Sequence, residues 1–106
     1  MTMIVYKVVT EDLKSLGLRN NPTILQYEVG VWVQSPTVVR NGLDKGGIWA
    51  CRTRSGARTL RKYMKTKHGE YCCIFEAEIG EYLYGNTYRV KTDRIKLLRE
   101  IDCSGS

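Results

Sequence analysis

Apolar and polar residues alternate with a period of two along several short stretches of the chain. The clearest stretch is residues 71–83 (YCCIFEAEIGEYL), where every second residue from Cys73 to Ile79 is apolar and is predicted to be buried. Residues 94–101 also fit a helical period, but they follow a strand and a short turn, which favours a strand. Further strands are predicted, from β-branched and aromatic residues, at 3–9, 24–33, 48–52 and 87–91.

A helical period begins after residue 54. Ser55 is a suitable N-cap and Gly69 suits the C′ position, so one clear helix is predicted at about residues 55–68. Its apolar residues recur every three or four positions and are predicted to form a narrow stripe that packs on the strands. The predicted fold class is therefore α+β, with several strands in one or two sheets. The apolar stripe consists of Ala57, Leu60, Tyr63 and Met64.

Length and composition predict a single domain. The chain has 106 residues, of which 42% are apolar, enough for one core and too few residues for two. No apolar stretch approaches the roughly 18 residues of a membrane span. The first residues lack the pattern of a signal peptide, so a cytoplasmic location is expected. The domain is predicted to cover residues 1–106, with a loose tail at 102–106.

Positive charge is concentrated in one segment. The net charge is +6 at pH 7, which favours acidic partners such as nucleotides and nucleic acids, although the charge also fits a protein that is merely soluble. No acidic residue lies between Arg52 and Lys67, whereas the segment from Glu70 to Glu81 has four glutamates and no basic residue. The alternative is a solvated helix surface. The predicted anion-binding residues are Arg52, Arg54, Arg58, Arg61, Lys62 and Lys65.

Four cysteines and one histidine raise the question of a metal site. The sequence has no C-x-x-C motif, and adjacent cysteines such as Cys72 and Cys73 point to opposite faces of a strand. All four thiols are therefore predicted to be reduced. No metal and no cofactor are expected.

Three segments resemble the second half of the ADP-ribosyltransferase fold of the poly(ADP-ribose) polymerase type. They are "GIWACRTRSGARTLRKY", "FEAEIGE" and "NTYRVKTDRIKLL", which follow the family's order of a G-I-Y-F-A strand, a serine-started helix and terminal strands. The stretches "LQYEVGVWV", "IFEAEIGE" and "TDRIKLLREI" also resemble a small domain family common in bacteriophage genomes, for which no activity is known. The first resemblance implies an ADP-ribosyltransferase-like sheet and a nucleotide pocket.

The transferase resemblance implies a ligand-binding set that lacks the catalytic groups. The family's histidine falls at Lys7 and its glutamate at Thr87, so the group that would stabilise an oxocarbenium ion is missing. His68 lies at the helix end and does not replace the histidine. A glycine pair at 46–47 would let a ligand approach the backbone closely. The implied ligand-binding residues are Lys7, Gly47, Trp49, Ser55, Tyr63 and Thr87.

Three functions are compatible with these residues. The preferred one is a small non-catalytic binding protein, phage-encoded, that binds an anionic nucleotide or nucleic acid, or blocks a host complex handling one, as a host-defence inhibitor does. Arginine suits phosphate oxygens, and an aromatic ring can stack on a base. The second is an active transferase with an atypical catalytic set that includes Glu76 or Glu78. The third is an interaction domain without a ligand.

Overall fold

A computed structural model describes residues 3–16, 24–36 and 47–103. These ranges form one α-helix and seven β-strands, which confirms the predicted α+β class. No helix among them is long and apolar enough to cross a membrane. The elements are β1 (Ile4–Thr10), β2 (Trp32–Gln34), β3 (Ile48–Cys51), α1 (Arg54–His68), β4 (Cys72–Ile79), β5 (Tyr82–Gly85), β6 (Arg89–Thr92) and β7 (Arg94–Cys103).

The seven strands form one sheet in the order β2-β7-β4-β1-β3-β6-β5, and all neighbouring strands are antiparallel. β1 lies at the centre. It pairs with β4 along its whole length, from Ile4 opposite Glu78 to Thr10 opposite Cys72, and with β3 on its other side. Gly46 of the predicted glycine pair and residues 104–106 of the predicted tail lie outside the described ranges 3–16, 24–36 and 47–103.

Each face of the sheet has its own core. On one face, Val9, Phe75 and Leu97 pack with Tyr27, which comes from the segment before β2. On the other face, α1 covers Val8 and Ile74 with Ala57 and Met64. The predicted buried side of β4 is therefore confirmed, but the second side is also buried where the helix lies.

Residues 24–33 were predicted to be a strand, and this prediction is wrong for most of them. Only Trp32–Gln34 forms a strand, paired with β7. Gly30 adopts a positive φ of 83° in a turn, and its N–H donates to Leu97 O at 2.7 Å. The apolar residues before this turn, Leu25 and Tyr27, pack on the sheet face instead of forming a ladder. Their strand-like composition reflects burial, which a single sequence does not distinguish from strand pairing.

The helix begins one residue earlier than predicted and is capped by another residue. Thr53 is the N-cap, and its Oγ1 accepts a hydrogen bond from Gly56 N at 3.0 Å. Ser55 is therefore a first-turn residue. Gly69 is at the left-handed C-terminal position with φ 64°, as predicted, and its N–H donates to Lys65 O.

The end of the chain differs from prediction in two ways. Asp102 and Cys103 belong to β7, so the predicted loose tail does not begin at residue 102. Cys73 and Cys103 lie opposite each other on β4 and β7, with Cα atoms 4.0 Å apart, and are joined as a disulfide. The prediction that all four cysteines are reduced is therefore wrong, because it considered spacing along the chain and not pairing between strands. Cys51 and Cys72 are free and buried.

The buried side chain of Lys91 explains why residue 47 is a glycine. Lys91 is on β6, has no exposed surface, and burial lowers the pKa of its ammonium group. A Cβ at Gly47 would lie 2.8 Å from Lys91 Cε and 3.2 Å from Thr92 O, and the φ of Gly47 is 74°. The packing of Lys91 therefore explains a glycine at residue 47 without the close approach of a ligand that the glycine pair suggested.

We expect Gly47→Ala to destabilise the fold more than Gly30→Ala. Both glycines have a positive φ, which costs an alanine about 1–2 kcal/mol. A Cβ at Gly30 has no atom within 4 Å, whereas one at Gly47 overlaps Lys91. Chemical denaturation should show an additional loss of about 1–3 kcal/mol for Gly47→Ala. Equal losses for the two variants would contradict the packing argument.

Candidate functional site

A cleft of about 830 Å³ lies between α1 and the turn that joins β5 to β6. The N-terminal half of the helix forms one wall and the turn forms the other. Cys51, at the end of β3, lies between them. The helix contributes hydroxyl groups and two apolar contacts, from Thr53, Ser55, Gly56, Thr59, Leu60 and Tyr63.

Hydrogen bonds hold the turn that forms the second wall. Asn86 Oδ1 accepts from Tyr88 N at 2.8 Å and from Arg89 N at 2.9 Å. Arg52 Nε donates to Asn86 O at 2.5 Å, and Arg52 Nη2 donates to Tyr82 OH at 2.8 Å. Arg52 was predicted to bind an anion, but its guanidinium already supports this wall. The wall is therefore held by hydrogen bonds within the chain.

The cleft is electrostatically positive. Among the described residues that line it, Arg89 has the only formal charge, and the first turn of α1 contains no acidic residue. The positive end of the helix dipole is at this turn. Burial raises the pKa of the Cys51 thiol above its usual value, so this group is neutral at pH 7. These features favour an anionic group near Arg89 and the start of the helix.

Two exposed tyrosines contribute to opposite walls. Tyr63 is 45% exposed and Tyr88 is 73% exposed. The prediction that Tyr63 belongs to the buried stripe of the helix is wrong; its ring meets His68 edge-on, with centroids 5.7 Å apart. Ala57 and Met64 are buried as predicted, and Leu60 packs partly on the core.

The ligand-binding residues implied by the transferase resemblance do not all meet in one place. Ser55 and Tyr63 line the cleft, and Thr87 is exposed between two lining residues of the β5–β6 turn. Lys7 is buried, and its Nζ donates to Trp49 O at 2.6 Å. Trp49 packs its ring edge-on against Tyr84, with centroids 6.0 Å apart, and does not line the cleft.

Lys7 is separated from the cleft by the sheet itself. Its Nζ lies 5.7 Å from the ring centroid of Tyr27, which belongs to the core on the face away from α1. Lys7 and Trp49 were therefore wrongly assigned to one pocket with Tyr63. The cleft instead recruits Thr59, Tyr88 and Arg89, which sequence reasoning missed. The turn residue Asn86 was the available signal, because its side chain accepts hydrogen bonds from the backbone N–H groups of Tyr88 and Arg89.

Basic residues occupy the other flank of α1. With about 100° of rotation per residue, Arg54, Arg58, Lys62 and Lys65 fall within about 80° of one another. We call these four residues the basic flank. Ser55 projects about 20° beyond this arc, Thr59 about 60° and Tyr63 about 100°, so the cleft and the basic flank are adjacent surfaces formed by different side chains. The sequence predicted the basic flank but not its separation from the stacking residues.

Aromatic rings lie beneath both ends of the basic flank. Arg54 lies over the ring of Tyr6 at 5.7 Å from its centroid, and Lys65 lies over Tyr71 at 5.3 Å. Between them, Arg58 and Lys62 are exposed and form no ion pair with any residue in the described ranges. Cations over aromatic rings keep their charge while their stems are ordered.

Arg61 differs from its basic neighbours. Its Nη1 lies 2.9 Å from Asp102 Oδ2, and its side chain is only 20% exposed. Arg61 was predicted to bind an anion, but this ion pair instead joins α1 to β7. Its guanidinium is therefore paired with the carboxylate of Asp102.

The carboxylates proposed for an atypical transferase lie elsewhere. Glu76 Oε2 is 3.2 Å from Arg99 Nη2, in an ion pair between β4 and β7. β1 separates β4 from β3, so neither Glu76 nor Glu78 lines the cleft.

Comparisons of the chain with protein families, with characterised proteins and with solved structures found no match. The function is therefore inferred from the geometry of the cleft and of the basic flank.

We expect Arg61→Glu to destabilise the protein and Arg58→Glu to leave its stability nearly unchanged. Both variants change the net charge equally, but only Arg61→Glu places a second carboxylate beside Asp102. Thermal unfolding should show a loss of about 1–3 kcal/mol for Arg61→Glu and less than about 0.5 kcal/mol for Arg58→Glu. Similar losses would mean that the Arg61–Asp102 contact is not structural.

Proposed function

We propose that this protein is a non-catalytic binding protein for an anionic nucleotide, which occupies the cleft beside α1. The observation that carries the proposal is the combination of Arg89, an acid-free helix start and two exposed tyrosines in one cleft. The proposal is compatible with the ADP-ribosyltransferase-like scaffold that the sequence resembles, but it does not depend on that resemblance.

The charge of the cleft supports an anionic ligand. Backbone N–H groups at a helix N-terminus and an arginine are both good partners for phosphate oxygens. Gly56 N already donates to Thr53 Oγ1, so this backbone N–H is not free for a ligand. Arg89 and the hydroxyls of Thr53 and Ser55 are side-chain donors among the residues that line the cleft. A phosphate at this end of the cleft meets no carboxylate among the lining residues.

The size and the aromatic residues of the cleft support a nucleoside rather than a bare phosphate. Ligand pockets commonly have volumes of about 300–1,000 Å³, a range that includes this cleft of about 830 Å³. Tyr63 and Tyr88 offer exposed rings from opposite walls. Stacking of a base on such a ring stabilises a complex by about 1–3 kcal/mol. The phosphate end and the ring end together match a mononucleotide.

The chemistry of the lining residues favours binding over catalysis. The cleft presents hydroxyls, one thiol, one amide and one guanidinium, but no carboxylate or imidazole among the described residues. The raised pKa of Cys51 keeps its thiol protonated and weakly nucleophilic at neutral pH. General acid–base work at pH 7 usually depends on a carboxylate or a histidine.

We expect purine mononucleotides to bind the wild-type protein in isothermal titration and to lose affinity when the cleft is altered. Tyr88→Ala should weaken binding by about 5- to 150-fold, which corresponds to the loss of one stacked base. Arg89→Glu should remove measurable binding, because it places a carboxylate where the phosphate lies. Lys67→Glu is the matched control: it makes the same charge change on an exposed helix position outside the cleft and should keep the wild-type affinity.

An equal loss of nucleotide affinity in Lys67→Glu and Arg89→Glu would contradict binding in the cleft, since the change in net charge alone would then explain the loss. Absence of binding by any nucleotide would favour the interaction domain without a ligand.

The basic flank supports a second candidate function, binding of a single-stranded nucleic acid. Arg58 and Lys62 are exposed and unpaired among the described residues, and Tyr6 and Tyr71 lie beside the outer members of the flank. Basic residues interleaved with aromatic rings are typical of surfaces that follow a single strand. The side chains of the basic flank do not line the cleft, so substitutions can test the two functions independently.

We expect the double variant Arg58→Glu/Lys62→Glu to weaken binding of a fluorescent single-stranded oligonucleotide by at least about tenfold. The salt dependence should also fall, by about 0.7 in slope for each lost phosphate contact. The fold should be retained because both residues are exposed. Unchanged anisotropy titrations would show that the basic flank is only a solvated surface. Arg89→Glu is the control for the cleft: it should leave oligonucleotide binding by the basic flank in place.

A further inference from the structure

Pairing between β4 and β7 brings together three groups that the sequence keeps far apart. Cys73 and Cys103 are opposite each other in the register, with a sequence separation of 30 residues. The carboxylate of Glu100, also on β7, lies within 4.8 Å of both sulfur atoms. Cys73 is buried at the base of this group, whereas Cys103 and Glu100 are exposed at its rim. Two sulfurs and a carboxylate oxygen thus converge at one end of the sheet.

We propose that these three side chains form a zinc-type metal site when the disulfide is reduced. Thiolates select soft or borderline metals, and zinc accepts two thiolates, one carboxylate and a water molecule in tetrahedral geometry. With Zn–S bonds of about 2.3 Å, the two sulfurs would be roughly 3.8 Å apart. Cys103 is exposed near the end of β7, where its side chain can rotate to reach this separation.

The proposed site and the disulfide exclude each other. A dithiol reductant transfers two electrons and two protons to the Cys73–Cys103 disulfide, gives two thiols, and is itself oxidised to a cyclic disulfide. The metal ion then displaces one proton from each thiol as both sulfurs bind it as thiolates. The same pair of residues therefore either closes the strand ends covalently or holds a metal, according to the redox state.

This site is independent of the proposed nucleotide function. Cys73 belongs to the core on the sheet face away from α1, whereas the cleft lies on the α1 side at β3 and the β5–β6 turn. A failure of nucleotide binding would leave the metal site untouched, and the reverse also holds.

The test uses Co²⁺ as a spectroscopic probe of the full chain after reduction and anaerobic removal of the reductant. We expect one equivalent of Co²⁺ to produce the ultraviolet charge-transfer absorption of cobalt–thiolate bonds, and one equivalent of Zn²⁺ to remove it. The oxidised chain should show no such absorption. Glu100→Gln should weaken Co²⁺ binding by at least about tenfold, since even loss of an outer partner of a metal ligand has an effect of this size.

Cys72→Ala provides the matched control. Cys72 precedes Cys73 but lies in the core on the other face, so the variant should keep the absorption. Cys103→Ser should lose it while circular dichroism shows a folded chain. The proposal is overturned if reduced wild-type protein gives no saturable absorption, or if Cys103→Ser and Glu100→Gln both bind Co²⁺ as tightly as wild type.

Discussion

The packing of α1 on β1, β3 and β4 is the contact on which both candidate surfaces depend. Ala57 and Met64 are buried against Val8 and Ile74, so the rotation of the helix about its axis is fixed. With this rotation, Ser55, Thr59 and Tyr63 face the β5–β6 turn. The basic residues fall on the other flank, where Arg61 reaches Asp102. A helix rotated by one residue, about 100°, would remove both the cleft and the ion pair.

Because both faces of the sheet are buried, some of the strands could be predicted from the sequence and others could not. The strand at 72–79 and the helix were predictable because each has a clear period in its apolar residues. The strand at 4–10 was predictable from its β-branched residues, and the strand at 94–103 from its position after a strand and a short turn. Residues 24–31 were misassigned because Leu25 and Tyr27 are apolar for packing on the sheet, not for strand pairing. The N-cap was placed at Ser55 instead of Thr53 because both residues are good caps and lie two positions apart.

The candidate sites were predictable only where the residues are close in sequence. The basic flank follows from helical spacing, which is local, so its residues were found. The cleft needs the β5–β6 turn beside α1, and the cluster of Cys73, Cys103 and Glu100 needs the β4–β7 register. Lys7 and Trp49 show the opposite error: a linear correspondence with another fold placed them in a pocket, whereas the sheet places Lys7 on its far face. Pairing between strands that are distant in sequence sets these positions, and the spacing of residues along the chain does not reveal that pairing.

Chemical-shift mapping shows most directly whether a nucleotide occupies the cleft. A ¹⁵N-labelled sample of the full chain is titrated with a purine mononucleotide, and the backbone amide signals are followed. We expect saturable shifts for Ser55, Gly56, Tyr88 and Arg89, with little change at Arg58 and Lys62 on the basic flank. Shifts confined to the basic flank, or no shifts at millimolar nucleotide, would contradict binding in the cleft.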